Sequence, residues 1–274
     1  MKAYCKMVVI AAMGFVGMTA CKTSKPVQQT QSSQQTLLLP GGPAWGALYM
    51  QHAGEYKALC FQAYQLAALR LDAILQQPSS KPRAIVTDID ETILDNSPYN
   101  AHQALLGQEY TDASWNEWTS KAAADTIPGA LSFLQYAASK GVKVFYITNR
   151  KTDEQAGTLQ NLQRFNFPNA TAEYLLLKTT SSAKESRRES VAKTHDIVLL
   201  MGDNLGDFAG VFENHKSTEE RNAAVLKLRG EFGSRFIVLP NAMYGDWQSA
   251  LIKYNYKATM QQRDSTLQKA LKSY

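Results

Sequence analysis

Two aspartates one residue apart, Asp88 and Asp90, close an apolar run in "AIVTDIDETILDNSPY" (84–99), with Glu91 and Thr92 directly behind. Two further segments end apolar runs in polar groups, "ITNR" at 147–150 and "GDNLGDF" at 202–208. Parallel strands bring their carboxyl ends to one edge, which would gather Asp88, Asp90, Asp203 and Asp207 there. Four carboxylates in one place repel strongly unless a cation or bound protons relieve them. Magnesium suits such a set, because it is hard, prefers carboxylate oxygen and keeps waters while also binding a substrate phosphate. With the Thr148 hydroxyl and a lysine added, this is equipment for phosphoryl transfer, where positioning and charge neutralisation provide most of the catalysis. A DxD pair alone is more often a solvated turn or a helix cap; the ordered set of three segments carries the reading.

The elements that must position these groups follow from the texture after Pro82. Five short, nearly continuous apolar runs are expected strands, at 84–89, 142–148, 173–177, 196–202 and 235–239. Such runs suit parallel strands covered on both faces. Helical patterns near 129–140, 153–165, 183–193 and 218–229 alternate with them, so the expected fold is α/β with a Rossmann-like parallel sheet over 82–245. Residues 96–127 interrupt the pattern with a helical cap insertion carrying Trp115 and Trp118. It would stand over the carboxyl ends of the strands, where α/β sheets bind ligands. Helical spacing from Trp45 to Leu75 places an N-terminal helical extension at 42–81, and 246–274 reads as C-terminal helices. With 45% apolar and 19% charged residues, the composition is that of a soluble globular protein with one sizeable core.

The opening 20 residues combine Lys2 and Lys6 with an apolar stretch at 7–18 and read as an export signal, too short for a membrane span of about 20 residues. "MTAC" resembles a bacterial lipobox, with Met18 where leucine is usual, so Cys21 is the expected lipidated residue. Residues 21–41, rich in Gln, Ser and Thr, are the expected flexible tether. These readings place the protein in a bacterial cell envelope, anchored to a membrane by lipid. Lys22, where an aspartate retains some lipoproteins inside, favours the outer membrane over the inner. With Cys5 and Cys21 accounted for, Cys60 stands alone, so no intramolecular disulfide is expected and Cys60 reads as a small buried hydrophobe. The net charge of +5, or +3 without Lys2 and Lys6, is too mild for a nucleic acid polymer as partner.

"DIDET", "ITNR" and "GDNLGDF" in this order, with a lysine between the second and third, resemble the motifs of the haloacid dehalogenase superfamily. Together with "EYKALCFQAYQLA" and "LPNAMYGDW" they resemble class C acid phosphatases, the bacterial lipoprotein e type, from Glu55 to Trp247. The resemblance implies a magnesium-dependent phosphomonoesterase with Asp88 as the nucleophile that forms an aspartyl-phosphate. Asp90 would protonate the leaving oxygen and later take a proton from water. The metal would be held by the carboxylates of Asp88 and Asp203, by the backbone carbonyl of Asp90, and by Asp207 directly or through water. Thr148 and the amide of Asn149 would hold phosphoryl oxygens. For the lysine, Lys178 and Lys184 both qualify; a family arginine three residues on fits Lys184 with Arg187, and a helix amino end there favours phosphate. Gly206 departs from relatives that carry aspartate there, so the acidic loop has one fewer charge, and with Asp203 and Asp207 retained metal binding is expected to survive in weaker form.

Family substrates are small phosphate esters, nucleoside 5′-monophosphates among them, with the base between aromatic rings. Trp115 and Tyr244 match those places best, although large aromatics are more often core. Asp95 and Asn96 could cap the insertion helix or touch the groups around the carboxylates, and capping is the expected role. Histidines 52, 102, 195 and 215 show no metal-ligand spacing. Relatives form homodimers. Two other readings stay open, a phosphotransferase passing the group to an acceptor alcohol and a non-catalytic, haem-type binding lipoprotein on the same scaffold. The repulsive pair Asp88 and Asp90 argues against the second.

Overall fold

A computed structural model describes Leu38, Leu39 and residues 41–274; the expected signal, Cys21 and most of the tether lie outside the described residues. Helix α1 (Gly41–His52) breaks at Ala53, whose backbone is extended, and α2 (Gly54–Leu75) follows. In α2, Tyr56, Cys60, Tyr64, Ala67 and Leu71 recur at helical spacing and are all buried, which lays the helix on the core. Cys60 is a free, buried thiol. The tether expectation ran through residue 41, whereas Leu39 is already buried and α1 begins at Gly41.

Strand β1 (Arg83–Thr87) opens the α/β part and leads to β2 (Leu94–Asp95). Helices α3 (Ser97–Leu105) and α4 (Asp112–Ser120) form the insertion, which closes at β3 (Asp125–Thr126). β2 and β3 pair antiparallel, so both ends of the insertion leave the core side by side. Then come α5 (Ala130–Ser139), β4 (Lys143–Lys151), α6 (Gln155–Arg164), β5 (Leu175–Lys178), α7 (Glu185–Thr194) and β6 (Asp196–Gly202). The remainder is α8 (Thr218–Lys227), β7 (Phe236–Val238), α9 (Asp246–Leu251) and α10 (Met260–Ala270).

The five longer strands form one sheet in the order β5-β4-β1-β6-β7, every neighbouring pair parallel. The expected Rossmann-like sheet is therefore present. Alternation along the strands divides the core between its faces. Ile85, Val144, Tyr146, Leu199 and Met201 join the cluster under α2 and α5. Ala84, Val86, Phe145 and Leu200 point the other way, toward Val191, Phe208 and Phe236. The helical tail is interrupted, because Lys253 and Tyr254 both take positive φ and end the run that α9 begins. No helix among the described residues is long and apolar enough to cross a membrane.

Candidate active site

β1 lies at the centre of the sheet, with β4 on one side and β6 on the other, so the strand order reverses there. Ligands bind α/β sheets at such a reversal, beyond the carboxyl ends of the strands. Asp88 continues the ladder by donating its amide to the Met201 carbonyl at 2.9 Å, which places it beside the end of β6. Asp203 and Asp207 follow β6 directly. Carboxylate oxygens of Asp88, Asp203 and Asp207 lie within 4.8 Å of one another.

Lys184 Nζ stands between two of them, donating to Asp88 Oδ1 at 2.6 Å and to Asp207 Oδ1 at 2.6 Å. Burial pulls its pKa down, but Asp207 and Asp88 outweigh that and hold the ammonium above the ordinary lysine range. One ammonium does not neutralise three carboxylates. Burial pushes Asp88 up to about 7, with Lys184 opposing and Asp207 and Asp90 adding to the rise. Burial, then Asp207 and Asp88, push Asp203 well above the carboxylate range. Such a cluster takes up either protons or a cation, and its all-oxygen donor set fits a hard divalent metal.

Of the two lysines considered, Lys184 reaches the carboxylates. Lys178 ends β5 in register with Lys151 of β4 and makes no bond to them. The expectation that the amino end of α7 is free to hold phosphate is corrected, because Glu213 Oε1 already accepts the amides of Lys184 (2.7 Å) and Glu185 (2.9 Å). A buried carboxylate satisfies those donors, and only the Lys184 side chain reaches the cluster.

Asp90 departs from the expected gathering of four carboxylates. Its side chain turns to Arg150, which donates from Nε to Oδ1 and Oδ2 at 3.0 and 3.2 Å and from Nη2 to Oδ1 at 2.7 Å. A paired guanidinium relieves the fourth charge. Asn96 takes the second of the two roles open to it, for its side chain does not cap α3. Its Nδ2 donates to Asp90 Oδ1 at 2.9 Å, while Asp95 Oδ1 accepts the Ser97 amide at 2.8 Å in the capping manner.

Thr148 is fully buried near the end of β4, where its hydroxyl accepts the Arg150 amide at 3.1 Å. Asn149 is exposed beside it. Arg187 clamps this stretch of β4 by donating to the Thr148 carbonyl at 2.5 Å and to Asn149 Oδ1 at 2.9 Å. Trp115 is half-buried, edge-on to Tyr99 with centroids 4.9 Å apart and 5.8 Å from the Arg150 guanidinium carbon. Tyr244 is half-buried against the main core, and its ring makes no described contact with Trp115.

The family model for HAD superfamily, subfamily IIIB (acid phosphatase), matches residues 18–247. The chain belongs to that family. Among solved structures it is similar to the class C acid phosphatase from Bacillus anthracis, 46% identical with a TM-score of 0.81, covering 85% of this chain and 97% of that one. The same Bacillus anthracis enzyme with tungstate bound matches at 45% identity and a TM-score of 0.82, with the same coverage. A stem 31 kDa glycoprotein from Glycine max is 30% identical over 57% of each chain. Acid phosphatase 1 from Solanum lycopersicum is 27% identical over 48% of this chain and 54% of its own. The chain thus spans little more than half the length of these two plant relatives.

In this subfamily IIIB member, four site neighbours escaped the sequence reading. Arg150 was visible only as the end of "ITNR", and Asn241 only as part of "LPNAMYGDW". Asn241 Nδ2 donates to Asp203 Oδ2 at 2.8 Å and orients it from across the loops. Glu213 had no local signal. Glu91 stood beside the aspartates, yet its role is internal: it is fully buried at a φ of 58°, and its Oε1 accepts the Asn96 amide at 2.8 Å. Burial, then Asp90 and Asp203, hold its carboxyl well above the ordinary range.

Proposed function

We propose that this chain is a metal-dependent phosphomonoesterase that hydrolyses small phosphate esters through a phosphorylated Asp88. The observation that carries the reading is the meeting of Asp88, Asp203, Asp207 and Lys184 at the strand-order reversal, with Asp90 beside them. The tungstate complex of the Bacillus anthracis relative supports it, since tungstate is a tetrahedral oxyanion with the shape of phosphate.

Asp88 Oδ attacks phosphorus, the bond from phosphorus to the ester oxygen breaks, and the Asp90 carboxyl gives that oxygen a proton. A water then attacks phosphorus, Asp90 takes its proton, and the bond to Asp88 breaks to release inorganic phosphate. Lys184, Thr148 and the Asn149 amide hold the phosphoryl oxygens, while Arg187 holds the stretch of β4 that carries Thr148 and Asn149. Asp88, Asp203 and Asp207, with the Asp90 carbonyl, would hold Mg2+, which supplies charge neutralisation for the approaching dianion.

The substrate class is a nucleoside 5′-monophosphate or related ester, with Trp115 and Tyr244 as candidate base contacts. We further read the chain as exported and lipid-anchored at Cys21 in a bacterial envelope, on the outer membrane, and as a homodimer. The deciding experiment measures phosphate release from nucleotides and p-nitrophenyl phosphate, with magnesium or EDTA, for wild type and Asp88→Asn. Metal-dependent release that falls at least ~10³-fold in the variant is expected. Full turnover by Asp88→Asn would overturn the nucleophile assignment.

A further inference from the structure

The two oxygens of Asp90 are held unequally. Oδ1 accepts three bonds, from Arg150 Nε at 3.0 Å, Arg150 Nη2 at 2.7 Å and Asn96 Nδ2 at 2.9 Å. Oδ2 accepts one longer bond among the described residues, from Arg150 Nε at 3.2 Å. The Arg150 side chain is only 1% exposed, while Asp90 keeps 15%. Arg150 is fixed in turn by donating Nη1 to Thr158 Oγ1 at 3.2 Å.

Both holders are braced from the insertion. The Trp115 ring on α4 lies 5.8 Å from the Arg150 guanidinium carbon, within reach of a cation–π contact. Trp118 on the same helix donates Nε1 to Asn96 Oδ1 at 2.8 Å, which fixes the Asn96 amide so that its Nδ2 faces Asp90. One helix of the insertion therefore supports the two residues that lock Asp90.

We propose that Arg150 and Asn96, braced by Trp115 and Trp118, are positioning residues that immobilise Asp90 Oδ1 and leave Oδ2 as the atom that exchanges the proton with the leaving oxygen and with water. The insertion then sets the geometry of acid–base catalysis as well as covering the site. This inference rests on the phosphomonoesterase reading.

The test exploits leaving-group chemistry. The first displacement, reported by kcat/KM, needs a proton from Asp90 when an alkoxide departs but scarcely when p-nitrophenolate does. Arg150→Lys, Asn96→Ser and Trp118→Phe are compared with wild type on p-nitrophenyl phosphate and on an alkyl phosphate, with Tm measured in parallel. Arg150→Lys is expected to lose ~10²-fold more kcat/KM on the alkyl ester than on the aryl ester. The other two variants should lose less, with the same preference. Equal losses on both esters, or no loss, in folded variants would overturn the inference while leaving the phosphomonoesterase reading intact. Should Arg150→Lys fail to fold, Trp118→Phe, which removes one N–H and keeps an aromatic ring, decides alone. Wild type inactive on both esters would instead overturn the reading beneath it.

Discussion

At the residue scale, Lys184 does two things at once, since it neutralises Asp88 and Asp207 and is itself buried by them. Removing one partner of a buried ion pair leaves the others uncompensated. Lys184→Met is therefore expected to lose about 3–5 kcal/mol of stability, read from urea unfolding without metal. Added magnesium should restore part of that loss, and an unchanged midpoint would contradict the account. Asp88 offers a second prediction. Its carboxyl is raised from 3.8 to about 7, so in metal-free protein the fold keeps a proton that the unfolded chain has released. The unfolded state then binds fewer protons, and stability falls as pH rises from about 4 to about 7. In EDTA, wild type should lose Tm across this window relative to Asp88→Asn, where the group no longer titrates. Wild type gaining Tm relative to the variant would reverse the sign.

At the element scale, the fit of the insertion on the core depends on close backbone approach. Gly157 in α6 faces the end of α4, and a Cβ there would lie 2.5 Å from the Thr119 carbonyl oxygen and 3.1 Å from Ser120 Cα. Gly157→Ala must push α4 away, which is expected to cost about 1–3 kcal/mol of stability. Because Trp115 and Trp118 ride on α4, hydrolysis of an alkyl phosphate should fall as well. Normal stability and normal turnover together would show that α4 does not depend on this contact. Gly202 has a comparable function inside the site, for a Cβ there would meet Asp207 Oδ2 at 2.3 Å. A glycine at the end of β6 is what lets the Asp207 carboxylate fold back against the strand.

At the scale of the whole molecule, α10 lies beyond the residues that match the family model, yet it joins distant parts of the chain. Asp264 is buried, and its Oδ1 accepts the Leu39 amide at 2.7 Å. Its neighbour Arg263 pairs with Glu109, between the two helices of the insertion. Asp264→Ala strands a buried amide and removes a charge-assisted bond, an expected cost of about 1.5–3 kcal/mol. Thermal unfolding measures it, and limited proteolysis should show faster cleavage ahead of α1. Unchanged stability and unchanged cleavage would mean that α1 is secured elsewhere.

Much of this molecule was legible before folding because the signals are local. Continuous apolar runs marked the strands, helical spacing marked α2, and the polar ends of "AIVTDI", "ITNR" and "GDNLGDF" already shared one edge once the strands were parallel. Charge partnership was different, since it depends on which side chains meet across the sheet. Arg150 and Asp90 stand 60 positions apart, Asn241 and Asp203 stand 38 apart, and Glu213 reaches Lys184 across 29. No periodicity records such meetings. The chain by itself determined which carboxylates would lie near the strand ends; only the tertiary structure decided that Asp90 would leave the cluster for Arg150, because a buried guanidinium must be met by a carboxylate within reach.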